Sequence, residues 1–385
     1  MRKTFLLLLL ALAGCKSLTK PIDPFFKTKP VQETIMSGLK RPWSMAFITE
    51  NEVLLTEKEG SLLKINLISK QKQVIKGFPT DLTDSIGVSY KADNSGIFDV
   101  VLDPDFDKNK RIYISYTAKI ANQGTTTKVI RAKFEDDSLT QIKPILIATP
   151  FTKQFFHYGG GLKFGLDKKL YVTIGERLYL EIDEPKTPIA QDVTDKRGKI
   201  YRLNPDGSIP EDNPNFGVGA ISGLYAIGIR AAQGMAIQPK TGKIWFSEHG
   251  TLQGDELNIL TAGANYGWPI VTTGKYRSSN YNPLKTNSVS YTSPTWFWKQ
   301  TVAPTGLAFY TGEEFPAWKN DLFVPGLSEG SLWRFSIEDE KVKSVEQMFI
   351  DTPVRLRKVV QSPLGKLYLL TDETNGRIIR IKKSI

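Results

Sequence analysis

Histidine is scarce in this 385-residue chain, which has only His157 and His249. Each sits among glycines, in FFHYGGGLKFG and SEHGTLQGDE, rather than inside an apolar pattern. An imidazole exchanges protons near neutral pH, so His157 is the candidate general base. A histidine that merely caps a turn is the bland alternative. Behind it, Gly159, Gly160 and Gly161 let backbone approach something flat or bulky. Residues 225–269 are denser still: Arg230, His249, the acids Glu248, Asp255 and Glu256, and the glycines Gly250, Gly254, Gly263 and Gly267 surround an apolar run at 243–247. Carboxylate and main-chain oxygen around Gly250, Thr251, Asp255 and Glu256 suit a hard cation. Neighbours on a strand point opposite ways, so at most one of Asp255 and Glu256 faces a given ion. Arg355 and Arg357 are spaced to share one face of an extended segment. Such a pair of forks suits a ligand with several carboxylates or phosphates, or else the acids of a neighbouring blade of the fold.

Other chemistries lack their residues. No HExxH motif occurs, histidine is limited to two positions, and the only cysteine is Cys15. Zinc, haem, iron–sulfur and triad hydrolysis therefore have little to rest on. The net charge is +11, but Lys and Arg are scattered and no basic block is interleaved with aromatics. That argues against nucleic acid and for solubility or attraction to anionic surfaces and ligands.

The elements that must position these groups repeat. A turn rich in Pro, Asp, Gly or Lys precedes a short β run in six places: ITENEVLLTE at Ile48, DPDFDKNKRIYISY at Asp103, GLDKKLYVTIGE at Gly165, QPKTGKIWFSE at Gln238, WKNDLFVPG at Trp318 and SPLGKLYLLTDE at Ser362. Further β runs lie between them, at 62–65, 129–134, 199–203, 332–337 and 377–381, and no long helical period interrupts. Several strands per repeat, recurring six times, predict an all-β fold, a six-bladed β-propeller with four-stranded blades. A sandwich of equal strand count is the alternative, and the even repetition disfavours it. Two polar stretches, 80–95 and 272–292, read as long loops shaping the channel mouth, or as exposed insertions.

The amino terminus has the charged head and short apolar core of a secretory signal, and is too short to span a bilayer. It ends in Leu12-Ala13-Gly14-Cys15, which resembles the lipobox of bacterial lipoproteins. The expected organisation is a signal peptide over 1–15 with Cys15 lipidated, a polar tether over 16–32, and one propeller over 33–385. Lys16, where inner-membrane lipoproteins commonly carry Asp, favours the outer membrane. The membrane then enters only through this anchor.

In chain order, DPDF, HYGGGL, IRAAQGMA, EHGTLQGDELN, NYGWP, TVAPTGLAFY and RLRKV with LYLLTDE resemble the soluble glucose/sorbosone dehydrogenases, PQQ-dependent aldose dehydrogenases built as six-bladed propellers. The likeness covers about residues 38–381, and the EHG…GDE…NYGWP set is its specific part. The resemblance implies PQQ lying flat over the channel, with Ca²⁺ at its quinone edge held by main-chain oxygens of Gly250 and Thr251. It assigns Glu256 and Tyr266 to an additional structural calcium. Arg230, Thr301, Arg355 and Arg357 fall to PQQ, and Asn94 stands beside them where a substrate-side glutamine is expected. His157 falls to the base that takes the anomeric hydroxyl proton of a sugar, giving a lactone.

The chain departs from the family pattern elsewhere. Ala231 replaces an asparagine, Thr251 a proline, Ser328 a cofactor-anchoring lysine, Gly161 an arginine and Lys358 an acid. Hydrogen bonds to charged groups are worth about 1.5–3 kcal/mol each, so Ala231 and Ser328 bear directly on cofactor affinity. Lys358 and Lys299 are the cations available to offset them. Two readings follow: a PQQ- and calcium-dependent sugar dehydrogenase, or a lipid-anchored propeller that has lost tight PQQ binding and serves as a surface binding module.

Overall fold

A computed structural model describes residues 29–83, 94–283 and 290–384. Within them the chain forms six antiparallel four-stranded sheets. Five are built consecutively, each from its innermost strand outward. These innermost strands are Pro42–Phe47, Ile97–Leu102, Gly159–Phe164, Ala232–Ile237 and Ala308–Phe309. The sixth sheet begins with Leu356–Gln361 and borrows its outermost strand, Pro30–Leu39, from the start of the chain. The innermost strands contact one another in sequence around a ring. The expected six-bladed propeller is therefore the fold.

The six turn-strand repeats supply the second strand of each blade: Glu52–Glu57, Arg111–Ile120, Leu170–Ile174, Ile244–Glu248, Leu322–Pro325 and Leu367–Thr371. Their sequences run apolar rather than alternating because each is packed on both faces by neighbouring blades; all five residues of LYLLT are buried. The outermost strand of the first blade behaves oppositely: Lys72–Val74 is exposed throughout. Six apolar clusters fill the six junctions between blades. One joins Leu54 and Leu62 of the first blade to Ile97 and Ile112 of the second, and another joins Tyr310 and Phe323 of the fifth to Leu369 and Ile379 of the sixth.

Closure is a main-chain event. Pro30 pairs with Lys383 and Leu39 with Gly376, so strands from both ends of the described chain complete one sheet. Met36 and Leu39 are buried in the junction of the sixth and first blades. This strand begins inside the stretch expected to be tether, so residues 30–32 belong to the propeller. Cys15 and residues 84–93 and 284–289 of the two polar stretches lie outside the described residues.

Radial construction explains how distant residues meet. Asn94, His157, Arg230 and Arg355 each lie just before the innermost strand of a different blade. The next strand runs back antiparallel, so Lys58, Glu176, His249 and Asp372, just beyond second strands, return to the same end of the channel.

Candidate active site

A cavity of about 1160 Å³ occupies that end of the channel. Asn94, His157, Arg355 and Arg357 all line it, together with Arg41, Trp43, Lys58 and Asp372. Its floor is aromatic: Phe98 packs between Trp43 and Tyr158, at 5.9 and 5.5 Å between ring centroids. The glycine run behind His157 makes this possible. Gly160 has φ +91°, and a Cβ there would sit 2.6 Å from the Phe98 ring.

His157 is held in the left-handed region, with φ +46°, a conformation uncommon outside glycine and often kept at functional positions. Its Nδ1 lies 2.5 Å from Oε1 of Glu176, whose side chain is 1% exposed. Burial, then the nearby Arg230, His249, Arg177 and Arg277, holds His157 well below the ordinary imidazole range, so the ring is neutral at pH 7. Burial raises Glu176, and the neighbouring Arg230 opposes it. Nδ1–H donated to the carboxylate leaves Nε2 bare, the tautomer a base requires. Arg177, stacked on the Tyr158 ring at 3.4 Å, closes the back of the pair.

Glu176 also ties in Arg230, whose main-chain oxygen accepts from the Glu176 N–H at 2.9 Å. The Arg230 guanidinium donates to the main-chain oxygens of Gly250 at 2.5 Å and His249 at 3.3 Å, and lies 5.1 Å from the Trp268 ring. The Thr251 oxygen accepts from Arg277 Nη2 at 3.0 Å. Both oxygens matched to a cofactor-bound ion thus already receive guanidinium N–H. Thr301 is exposed and gives its hydroxyl to the Leu252 oxygen at 2.5 Å. His249 is pushed down to about 4, chiefly by burial, and stays neutral.

Arg355 and Arg357 reach one acceptor, Oδ2 of Asp372, at 2.9 and 3.1 Å. The period-two reading placed them on one face. Their acid comes from the adjoining strand of the same blade, not from a neighbour. One carboxylate cannot neutralise two guanidinium groups, so a positive charge is left at the cavity wall. Among the described residues, Nε of Arg230, Arg277 and Arg357 is buried with no protein acceptor.

Beside Arg230 is a second, much smaller hole of about 20 Å³, room for roughly one water-sized particle. Glu248, Glu256, Gly250, Gly254 and Tyr266 line it. Burial, reinforced by the Glu256 charge, pushes Glu248 up to about 8, and burial raises Glu256 as well. Two buried carboxylates around one hole fit a hard cation. The Tyr266 hydroxyl is spent on the Ile259 oxygen and the Thr261 N–H, leaving its main-chain oxygen for such an ion. Asp255 turns elsewhere, accepting the N–H groups of Gly250, Val302 and Ala303, each at 2.7 Å.

A family profile described as "Glucose / Sorbosone dehydrogenase" matches residues 39–380. The chain belongs to the glucose/sorbosone dehydrogenase family. It is 33% identical to the aldose sugar dehydrogenase YliI of Escherichia coli over 355 residues, covering 91% of this chain and 92% of that protein. Quinoprotein glucose dehydrogenase B of Acinetobacter calcoaceticus is 30% identical, over 90% of this chain and 86% of that protein. Among solved structures, the PQQ-bound aldose sugar dehydrogenase of Streptomyces coelicolor superposes with a TM-score of 0.72 at 25% identity, covering 93% of this chain and 99% of that one.

Within this glucose/sorbosone dehydrogenase scaffold the departures find their places. Ala231 is fully buried. Ser328 is exposed beside Leu327, a cavity-lining residue. Lys358 is no substitute for the missing lysine, because it pairs with the buried Asp99 at 2.5 Å. Lys299 is exposed and outside the cavity lining. Sequence reasoning missed Glu176, Asp372, Lys58 and Arg277. The first two were legible as the acids closing the repeats TIGE and LLTDE. Lys58 follows another such acid, whereas Arg277 sits in a loop without a motif.

Proposed function

We propose that this chain is a PQQ-dependent oxidoreductase that oxidises an aldose at its anomeric carbon to the lactone. The observation that carries the reading is the set of partnerless guanidinium donors beside a cavity floored by aromatic rings and a His–Glu pair. Buried charged donors without acceptors are costly unless an anion completes them. PQQ is a flat tricarboxylate, and it is the group bound in the Streptomyces relative.

When bound, the quinone supplies the acceptor for the two electrons leaving the sugar carbon. Arg355 and Arg357 would bind its carboxylates, and Trp43, Phe98 and Tyr158 would exclude water from their side of the cavity. His157 Nε2 receives the anomeric hydroxyl proton, and Glu176 fixes the ring and balances the imidazolium that forms. Calcium belongs, in this reading, to the small hole, where Glu248, Glu256 and the Tyr266 main-chain oxygen would hold it. Cys15, lipidated, would tether the propeller to the cell envelope through the residues before Pro30.

The test is PQQ titration by protein fluorescence, followed by aldose-driven dye reduction. His157→Ala should retain the cofactor and lose about 10²–10⁴-fold in turnover. Absence of PQQ binding at micromolar concentration would reject the reading. It would favour the second one, a binding module, for which the buried Ala231 and exposed Ser328 are the specific support. Labelling with radioactive palmitate, abolished in Cys15→Ser, checks the anchor.

A further inference from the structure

We propose that Arg277 is a resident cation at the Gly250 and Thr251 carbonyls, holding by guanidinium the charge that the family resemblance gives to calcium, so that PQQ binds without a metal there. The inference rests on the cofactor reading above. Three observations support it.

The first is occupancy. Arg277 Nη2 donates to the Thr251 oxygen at 3.0 Å, and Arg230 Nη1 to the Gly250 oxygen at 2.5 Å. Calcium sits about 2.3–2.6 Å from its oxygens. An ion on both carbonyls would crowd two guanidinium groups that share those same acceptors, and like charges at such range repel strongly.

Second, the loop bearing Arg277 is fastened rather than loosely apposed. The N–H groups of Arg277 and Ser278 donate to the Glu181 carboxylate at 3.3 and 3.1 Å. Glu181 is 2% exposed and also accepts the Thr251 hydroxyl at 2.5 Å. A proline at position 251 has no hydroxyl and could not make that bond. Thr251 therefore ties its own carbonyl and the Arg277 loop to one buried acid. Tyr179 completes the seat, its ring 4.7 Å from the Arg277 guanidinium and its hydroxyl 3.3 Å from Nη1. Tyr179 lines the large cavity, so the guanidinium rests against a residue of its wall.

Third, after these contacts the Nε of Arg277 is still buried without a protein acceptor, as is that of Arg230. Each fork keeps a donor for an anionic ligand. A metal ion carries the same sign of charge, but guanidinium adds direction, which suits carboxylate and quinone oxygens.

Two readouts test this on the purified protein lacking its first 28 residues, the wild type beside Arg277→Gln and Arg277→Lys. The first is PQQ affinity by fluorescence quenching, in chelator and in excess calcium. Wild-type affinity should change by less than about threefold between the two conditions. Arg277→Gln should bind at least about tenfold more weakly in chelator, with calcium restoring it, and Arg277→Lys should lie between. The second readout needs no PQQ: calorimetric counting of calcium should find one more site in Arg277→Gln than in the wild type. Wild-type binding that collapses in chelator and returns with calcium would overturn the proposal. If PQQ binds no variant under any condition, the proposed function fails and the calcium count decides alone, equal counts overturning the inference and an extra site supporting it.

Discussion

Glu176→Gln tests the tautomer argument directly. The wild-type carboxylate lies 2.5 Å from His157 Nδ1 and is 1% exposed, so no solvent molecule replaces it without rearrangement. A glutamine amide of equal length can turn its N–H toward Nδ1, which then accepts, and the ring proton moves to Nε2. The nitrogen facing the sugar would then donate when it must accept. A hydrogen bond to a charged group is worth about 1.5–3 kcal/mol, or roughly a 10- to 150-fold loss in kcat at about 1.4 kcal/mol per decade. Glu176 does not line the cavity, so KM for sugar and affinity for PQQ should stay within about twofold. The assay is steady-state dye reduction with a parallel PQQ titration. In the wild type, kcat/KM should stay level from pH 8 down through the ordinary imidazole value of about 6.5, because burial and the surrounding arginines hold His157 well below it. A variant that keeps kcat within about threefold of wild type would refute the reasoning.

Arg357→Leu should weaken PQQ by about 10- to 150-fold, measured by quenching. It should also make the protein more acid-labile. Burial disfavours the Asp372 carboxylate, but Arg357 and Arg355 overcome this and hold its pKa well below the usual range. That stability is present above the unfolded aspartate value and is lost as pH falls toward the folded one. With Arg357 gone, the acid-unfolding midpoint should move up. Calcium added to the apoprotein at pH 7 should release protons, since Glu248, pushed up to about 8, is protonated before an ion enters; a pH-stat in weak buffer measures it, and Glu256→Gln should abolish it. Deleting residues 1–28 should leave the melting temperature unchanged, whereas deleting 1–39 removes Met36, Leu39 and the closing strand, and should give insoluble or early-melting protein.

The strands that read most clearly in the sequence are those buried on both faces. Second strands such as LYVTI and IWFSE have one composition requirement over their whole length, so turn and apolar run stand out together. Short elements vanish for the opposite reason. Trp296–Phe297 and Ala308–Phe309 are two residues each, and no period can be read from two positions. The site divides in the same way. His157, Arg355 and Arg357 were legible from residue type and spacing, because glycine flanks and a two-residue step have geometric meaning on their own. Glu176 and Asp372 act only through partners on adjacent strands, and register decides that. Arg277 depends on a loop folding back onto Glu181, a contact with 96 residues between its ends.

Charge decides between the two readings of Ala231 and Ser328. Four cations, Arg41, Lys58, Arg355 and Arg357, line the cavity against the carboxylates of Asp372 and Glu373. Local pairs cancel part of this set: Arg41 with Glu59 at 2.9 Å, Glu373 with Arg377 at 3.1 Å. Asp372 answers one of Arg355 and Arg357. What survives is one guanidinium charge, with Arg230 and Arg277 adding theirs where their hydrogen bonds go to neutral main-chain oxygens. A cavity that had abandoned its anion would gain by replacing such groups, because a buried charge without its counter-ion costs several kcal/mol. Keeping them while losing an asparagine and a lysine changes which contacts hold the ligand, not the sign of the ligand held. Arg355→Leu should therefore cost PQQ affinity, about tenfold by the worth of one charged hydrogen bond, and an unchanged titration would place the binding energy elsewhere in the cavity.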